Sequence, residues 1–566
     1  MASGSIICVW HSFGAEPRLL RKMESAGMKI SRMAINNHSR IQDLDLELRR
    51  HAVIVGANDV GKSSILRMLH LLLGSSTAAL YQAVAPADLE DPERPLVVNV
   101  MWTDFTDENR RVFPSEISIT EDHEREYLWV QMVVEVDPED DEAVTIRRWF
   151  PESGHERAPS REQLEAFGWR YLKATRGASM MEGAHSPVRT LLAAADLGNN
   201  EDGLKETLEK FNEELAGNES VGELLSRVAG HLSRAMPRAV AKEDFTVRSI
   251  TDPSTDVLQD VTIFLNRGSD QVSLMEQSDG VRQLMSMTLF DLAEGAANVL
   301  AIDEPEIHLH PTSQRTAADL LSGVGNQKII VTHSPYILHR FEPSEVIAVD
   351  RHGKCRQIGN ERLSKVEKVR AHWWSPRLLE ALTARFVVLV EGDADRVIVE
   401  AVGKSLGIDL DRLGAVVLEL DGADKFANVF PLLGPDGFGP TLLGLVDKQE
   451  SGRWVNAFGG KSKDTIDKKV FISEIDLEDE YTRALGGPVV AQALIDGGVC
   501  REQGILQASG VTAIKDVSAE AAAKFCRDKR KVEAATCIST VLDVDSAQRI
   551  GSVARLVRRL DELSQQ

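Results

Sequence analysis

The stretch Gly56-Ala57-Asn58-Asp59-Val60-Gly61-Lys62-Ser63-Ser64 leaves this chain few choices of fold. It follows a short apolar run, Ala52-Val53-Ile54-Val55, and opens a helical pattern that reaches Leu73. A glycine-rich turn between a buried strand and a helix N-terminus is built to hold phosphates. Gly56 and Gly61, with Asn58 between them, let backbone N–H groups wrap the oxygens. The helix N-terminus adds partial positive charge. Lys62 should reach the β- and γ-phosphates, Ser63 should hold Mg2+, and Ser64 completes the pattern. The expected ligand is ATP with Mg2+.

Such a turn needs acids to work with, and they follow. Val299-Leu300-Ala301-Ile302-Asp303-Glu304-Pro305 is an apolar strand ending in two carboxylates. Asp303 is placed to bind the Mg2+ shell and Glu304 to polarise the attacking water. Ile329-Ile330-Val331-Thr332-His333-Ser334-Pro335 carries His333 to the end of the next buried strand, where it can touch a γ-phosphate. Gln277-Ser278-Asp279-Gly280-Val281-Arg282-Gln283 lies just before the Asp303 strand. In this order the pieces resemble the ABC-type ATPases of the SMC and RecF-like group. Asp303-Glu304-Pro305-Glu306-Ile307-His308-Leu309-His310-Pro311 is the wording of that group's compact members. The resemblance makes His333 a switch histidine and Ser278 and Gly280 a diverged signature. Such a signature meets the partner subunit's ATP, which implies a head-to-tail homodimer or a higher homo-oligomer. Gln82 is a candidate for a Q-loop. The insert between Lys62 and Ser278 has no sustained heptads, so no long coiled-coil arm is expected.

At 566 residues the chain has room for about three or four domains. Residues 1–27 read as an N-terminal extension. Residues 28–200 read as the N-terminal part of the ATPase, with strands at 28–35, 44–48 and 52–55 and strand-like pieces at 96–102, 127–136 and 144–150. Residues 201–240 are a helical insert with Leu204, Leu208, Phe211 and Leu215 on one face, serving either dimerisation or packing on its own domain. Residues 241–358 return to the ATPase, 359–384 form a polar connector, 385–545 a second domain and 546–566 a C-terminal helix.

A formal charge of −22 speaks against a protein that merely coats nucleic acid. Any DNA path must be a local basic groove, or meet phosphates through metal ions. Five scattered cysteines without a CxxC pair argue against a disulfide scaffold and a zinc site. No apolar run approaches the roughly 20 residues of a membrane helix. The expectation is a cytoplasmic protein with no membrane partner.

The second domain carries its own chemistry. Phe386-Val387-Val388-Leu389-Val390 delivers Glu391, a glycine follows, and Asp395 opens a helix. Strands at 415–420 and 441–446 come next, the latter ending in Asp447-Lys448-Gln449-Glu450. The first stretch resembles the strand-EGxxD motif of Toprim domains, which use such acids and Mg2+ for phosphodiester chemistry. Toprim domains carry Asp-x-Asp at the third strand. Here Asp447 is kept and Gln449 stands in the second place, so one negative charge is missing. Glu450 could substitute with a register change, but on a continuing strand its side chain is expected on the opposite face. Asp476 and Glu478 could hold a second metal or merely start an acidic helix.

An ABC ATPase followed by a Toprim domain resembles the OLD (overcoming lysogenization defect) family of ATP-dependent endonucleases. That family includes the ATPase–nuclease subunit of the Gabija anti-phage system. The resemblance covers about residues 28–545 and sets the expected fold class: α/β, with an ABC-type P-loop domain, a helical insert and a Rossmann-like Toprim domain. It implies Glu391, Asp395 and Asp447 as Mg2+ (or Mn2+) ligands, Glu391 also as an acid–base group, and Lys531 as the transition-state lysine. It further implies DNA as substrate and a helicase or other defence-system partner. Gln449 keeps open a rival: an ATP-dependent sensor or RecF-like repair ATPase with a degenerate Toprim domain.

Overall fold

A computed structural model describes residues 27–565 apart from 174–217, 250–260 and 359–375. Short gaps fall at 121–123, 138–139, 155, 236–239, 268–269, 294–296, 324, 351, 423–424, 435–436, 461–464 and 528–529. The face of Leu204, Leu208, Phe211 and Leu215, nearly all of the N-terminal extension and much of the connector therefore lie outside the described residues.

The chain opens with β1 (Lys29–Asn36), β2 (Leu44–Glu47) and β3 (Ala52–Gly56). The phosphate turn then enters α1 (Lys62–Gly74), and α2 (Thr77–Ala83) follows. Next come β4 (Leu96–Thr103), β5 (Ser118–Ile119), β6 (Glu126–Asp137) and β7 (Asp140–Trp149). An antiparallel sheet runs β2-β1-β4-β6-β5, with β7 also paired to β6. β4 alternates buried and half-buried positions along its whole length, and β6 does so in its first half, as a sheet with one less covered face does.

After β8 (Trp169–Leu172) the described insert contains α3 (Glu219–Ala235) and a small sheet of β9 (Phe245–Ser249), β10 (Val261–Arg267) and β11 (Asp270–Ser273). Val221, Leu225, Val228 and Leu232 bury one stripe of α3 against Val247, Ile263, Met285 and Leu289. Then follow α4 (Asp279–Ala293), β12 (Val299–Asp303), α5 (Pro311–Leu321), β13 (Gln327–Val331), α6 (Pro335–Leu338), β14 (Val346–Val349) and β15 (Cys355–Gln357). The central sheet orders as β15-β14-β3-β13-β12-β8 and is parallel apart from β15. β3, β12 and β13 are wholly buried, which explains their unbroken apolar wording. One face packs on α1 and the antiparallel sheet, through Ile65, Leu69, Trp102 and Phe167.

The other face is continuous with the C-terminal half. α7 (Pro376–Thr383) places Ala381 and Leu382 in one apolar cluster with Val53 and Ile337 on one side and Val387 and Leu418 on the other. The C-terminal sheet comprises β16 (Phe386–Val390), β17 (Ala415–Glu419), β18 (Thr441–Asp447) and β19 (Val470–Ser473), all parallel, in the order β17-β16-β18-β19. Around it lie α8 (Asp393–Ser405), α9 (Leu477–Leu485), α10 (Ala519–Arg527), α11 (Lys531–Val541) and α12 (Gly551–Ser564). No helix among the described residues is long and apolar enough to cross a membrane.

Candidate nucleotide and metal sites

Strand order builds the first site. β13 lies between β3 and β12, with Val331 level with both Ile54 and Asp303. Gly56, Asp303 and His333, far apart in sequence, therefore emerge side by side at the carboxyl edge of a parallel sheet, where such folds bind ligands. Gly61 needs its hydrogen side chain: φ is +91°, and a Cβ would lie 2.4 Å from the Arg40 carbonyl oxygen. Gly56 is as tight, its Cβ position 2.5 Å from the Val349 carbonyl. Both glycines leave a backbone cradle that fits phosphate oxygens.

Lys62 is buried and donates to the Ala57 carbonyl at 2.5 Å. Burial pulls its ammonium down to about 8, while Glu304, Asp303, Glu306 and Asp59 pull the other way. The Ser63 hydroxyl donates to Asp303 Oδ1 at 3.0 Å, so these two could share one Mg2+. Burial pushes Asp303 up, against the Ser63 hydrogen bond that favours its charged form. Glu304 has φ +47°, a backbone state that costs a non-glycine residue about 1–2 kcal/mol. A hydrogen bond from its N–H to the Val331 carbonyl at 2.8 Å helps hold it there. His333 Nε2 sits 3.6 Å from Glu304 Oε1. Burial and the Lys62 charge lower the imidazole, against the pull of Glu304. Asn58 is exposed and Ser64 half-buried on the same turn.

Ser278 precedes α4 and Gly280 lies in its first turn, and no hydrogen bond or ion pair among the described residues joins them to Lys62, Ser63, Asp303, Glu304 or His333. Gly280 instead packs on the loop after Asp303, its Cβ position 2.7 Å from the His308 carbonyl oxygen. Gln82 is exposed on α2. Sequence reasoning missed Tyr171, whose hydroxyl donates to Asp303 Oδ2 at 3.4 Å from the neighbouring strand β8. Nothing local in the sequence marks that tyrosine. It also left Glu306 without a role, although its place two residues after Glu304 was in view.

The second site repeats the geometry. Glu391 follows β16, and Asp447 ends the adjacent β18. The Asp447 N–H donates to Glu391 Oε1 at 3.2 Å, and the Gly392 N–H donates to Asp395 Oδ2 at 2.9 Å. Burial pushes Asp395 up to about 7, with help from the charges of Glu478 and Glu391. Asp447 is pushed up to about 8 by burial and by Glu391, Asp395 and Glu478. Glu391 is raised too, by burial above all. Lys531, at the start of α11, reaches Glu478 Oε1 at 3.1 Å. Burial lowers that ammonium, but Glu478, Asp395 and Asp447 outweigh it and hold the proton on. Clustered carboxylates that resist ionising together are the oxygen donors a hard divalent cation takes. Among the described residues, no three His, Cys, Asp or Glu side chains already close into a metal-holding group.

The acids at the edges divide. Asp476 caps α9, accepting the Asp479 N–H at 2.8 Å, and Arg527 takes both of its oxygens at 2.5 and 2.9 Å. Burial raises its carboxyl, but these hydrogen bonds prevail and hold it low. Asp476 thus starts an acidic helix, while Glu478 is buried and turned toward Lys531. Gln449 is exposed. The expectation that Glu450 would face away rested on a continuing strand, but β18 stops at Asp447. A turn follows, closed by the Glu450 N–H to the Asp447 carbonyl at 3.1 Å, and the Glu450 charge bears on Glu391.

Comparison with known proteins meets both sites. The family model described as "AAA domain, putative AbiEii toxin, Type IV TA system" matches residues 52–339, just over half of the chain and from the strand before the phosphate turn to beyond His333. The chain belongs to this AAA family. Behind it, residues 382–448 match the "Overcoming lysogenization defect protein-like, TOPRIM domain" family, a span holding Glu391, Asp395 and Asp447 but ending before Gln449. Among curated relatives, the endonuclease GajA of Bacillus cereus is 20% identical over 432 residues, covering 70% of this AAA–Toprim chain and 71% of GajA. The OLD nuclease of Thermus scotoductus is 23% identical over 426 residues, covering 69% of this chain and 77% of that protein. A solved Smc head domain from Pyrococcus furiosus, bound to the C-terminal domain of ScpA, is 16% identical with a TM-score of 0.41; the match spans 61% of this chain and all of that one.

Proposed function

We propose that this AAA–Toprim protein hydrolyses ATP at the Lys62 site and thereby governs Mg2+-dependent cleavage of DNA at the Glu391–Asp447 site. The observation that carries the reading is the pairing, in one chain, of a phosphate cradle backed by Asp303, Glu304 and His333 with a carboxylate cluster facing Lys531. At the first site Lys62 offsets phosphate charge, Ser63 and Asp303 hold Mg2+, and Glu304 takes the proton of the attacking water while His333 faces the γ-phosphate. At the second, Glu391, Asp395 and Asp447 would hold Mg2+ or Mn2+, with Glu478 near. The bound ion supplies Lewis acidity to the scissile phosphate. Lys531 offsets the charge gained in the transition state, and Glu391 moves the proton. Ser278 and Gly280, which make no hydrogen bond to their own cradle among the described residues, would complete the site of a second copy in a homodimer. The two relatives named as an endonuclease and a nuclease support a nucleic-acid substrate, and the family resemblance alone suggests a place in anti-phage defence.

The test is plasmid cleavage with Mg2+ or Mn2+ and ATP by the full chain, beside Glu391→Ala and Lys62→Ala. The reading expects nicking by the wild type, none by Glu391→Ala, and no ATP turnover by Lys62→Ala. The exposed Gln449 favours a second reading, an ATP-dependent sensor or RecF-like ATPase whose Toprim domain no longer cuts. That reading wins if wild type and Glu391→Ala are equally silent on DNA while ATP is still consumed.

A further inference from the structure

Glu306 has no part in the roles assigned above, yet its carboxylate ties together the two turns that carry Glu304 and His333. Its Oε1 accepts the backbone N–H of His333 at 2.5 Å, and its Oε2 accepts the Thr332 hydroxyl at 2.8 Å. The Thr332 hydroxyl in turn accepts the Ser334 N–H at 3.0 Å. Ser334 donates to Gln314 Oε1 at 2.6 Å and caps α6 by accepting the N–H groups of Tyr336 and Ile337 at 3.1 and 3.2 Å. The backbone of Glu306 is fixed as well, its carbonyl accepting the Leu309 N–H at 2.9 Å. Hydrogen bonds, and no ion pair among the described residues, hold the carboxylate in place.

The consequence is geometric. The end of β13 could carry the His333 side chain in several directions. A carboxylate gripping the His333 N–H and the preceding hydroxyl fixes the backbone from which that side chain departs, and from there Nε2 lies 3.6 Å from Glu304 Oε1. We propose that Glu306 is a positioning residue of the ATP site, acting through His333 by hydrogen bonding and not by touching nucleotide. This rests on the reading of the Lys62 site as an ATPase.

The experiment compares ATP turnover and binding of the non-hydrolysable analogue AMP-PNP by the full chain in wild type, Glu306→Ala, Glu306→Gln, His333→Ala and the Glu306→Ala/His333→Ala double variant. Misplacing a catalytic group by an ångström can cost about a hundredfold in rate. Glu306→Ala should therefore lose about tenfold to a hundredfold in kcat while AMP-PNP affinity stays within about twofold. Glu306→Gln, which keeps an acceptor for the His333 N–H, should stay within about threefold of wild type. The double variant should be no slower than His333→Ala, because Glu306 acts only through that side chain. Should Glu306→Ala fail to fold, Thr332→Val removes the hydroxyl that donates to Glu306 and accepts the Ser334 N–H, and should still lower kcat by about threefold with AMP-PNP affinity kept. Wild-type kcat in Glu306→Ala overturns the proposal. So do parallel loss of AMP-PNP binding, a Gln variant as slow as the Ala one, and a double variant as slow as the product of the singles. If the wild type consumes no ATP, or Lys62→Ala consumes as much, the ATPase reading itself fails first, and that result is distinct from all of these.

Discussion

On the proposed reading of the C-terminal site, its two raised carboxyls would make divalent-ion binding a steep function of pH. Asp395 loses its proton near about 7 and Asp447 near about 8. A cation that needs both as carboxylates must displace any proton it finds there, so lowering the pH weakens binding. At pH 6, Asp395 is ionised in roughly a tenth of molecules and Asp447 in roughly a hundredth; at pH 8 nearly all of the first and about half of the second are ionised. Affinity for Mn2+ should therefore rise about 500-fold from pH 6 to pH 8, with close to two protons released per ion at the acid end. Calorimetric titration of nucleotide-free protein with Mn2+, in two buffers of different ionisation enthalpy, measures affinity and protons together. Asp447→Asn should release one proton fewer and shift the remaining rise to pH 7 or below. Fewer than about half a proton per ion at pH 6.5, or less than a tenfold change in affinity between pH 6 and 8, would refute the reasoning.

Two further substitutions test the local geometry. Gly61→Ala forces a Cβ into the left-handed backbone region and against the Arg40 carbonyl; it should destabilise the chain by at least about 1–2 kcal/mol in a denaturant melt and lower ATP affinity more than tenfold. Asp476→Ala removes the α9 cap and strands Arg527, so it should cost about 2–3 kcal/mol of stability while leaving Mn2+ affinity within about threefold. Glu478→Gln should do the reverse. Its charge helps keep protons on Asp395 and Asp447, and without it the rise in Mn2+ affinity should move to lower pH in the same titration.

What the sequence determined by itself is what nearest neighbours along the chain decide. The phosphate turn from Gly56 to Ser64, the acids ending β12, and the strand-glycine-helix passage from Phe386 to Asp395 are each continuous segments, so pattern and spacing alone carry them. The wholly apolar strands were legible for the same reason: burial on both faces writes itself into every residue. Only the tertiary structure could decide the rest. β8 is four residues long and gains its place by pairing with β12 and packing on α1, which is how Tyr171 reaches Asp303. The same holds for Glu306 under His333, Glu478 rather than Asp476 ion-paired to Lys531, and the Glu450 charge bearing on Glu391. Each depends on where a strand stops or which helix packs opposite, and a side chain's partner across space leaves no mark on the residues beside it.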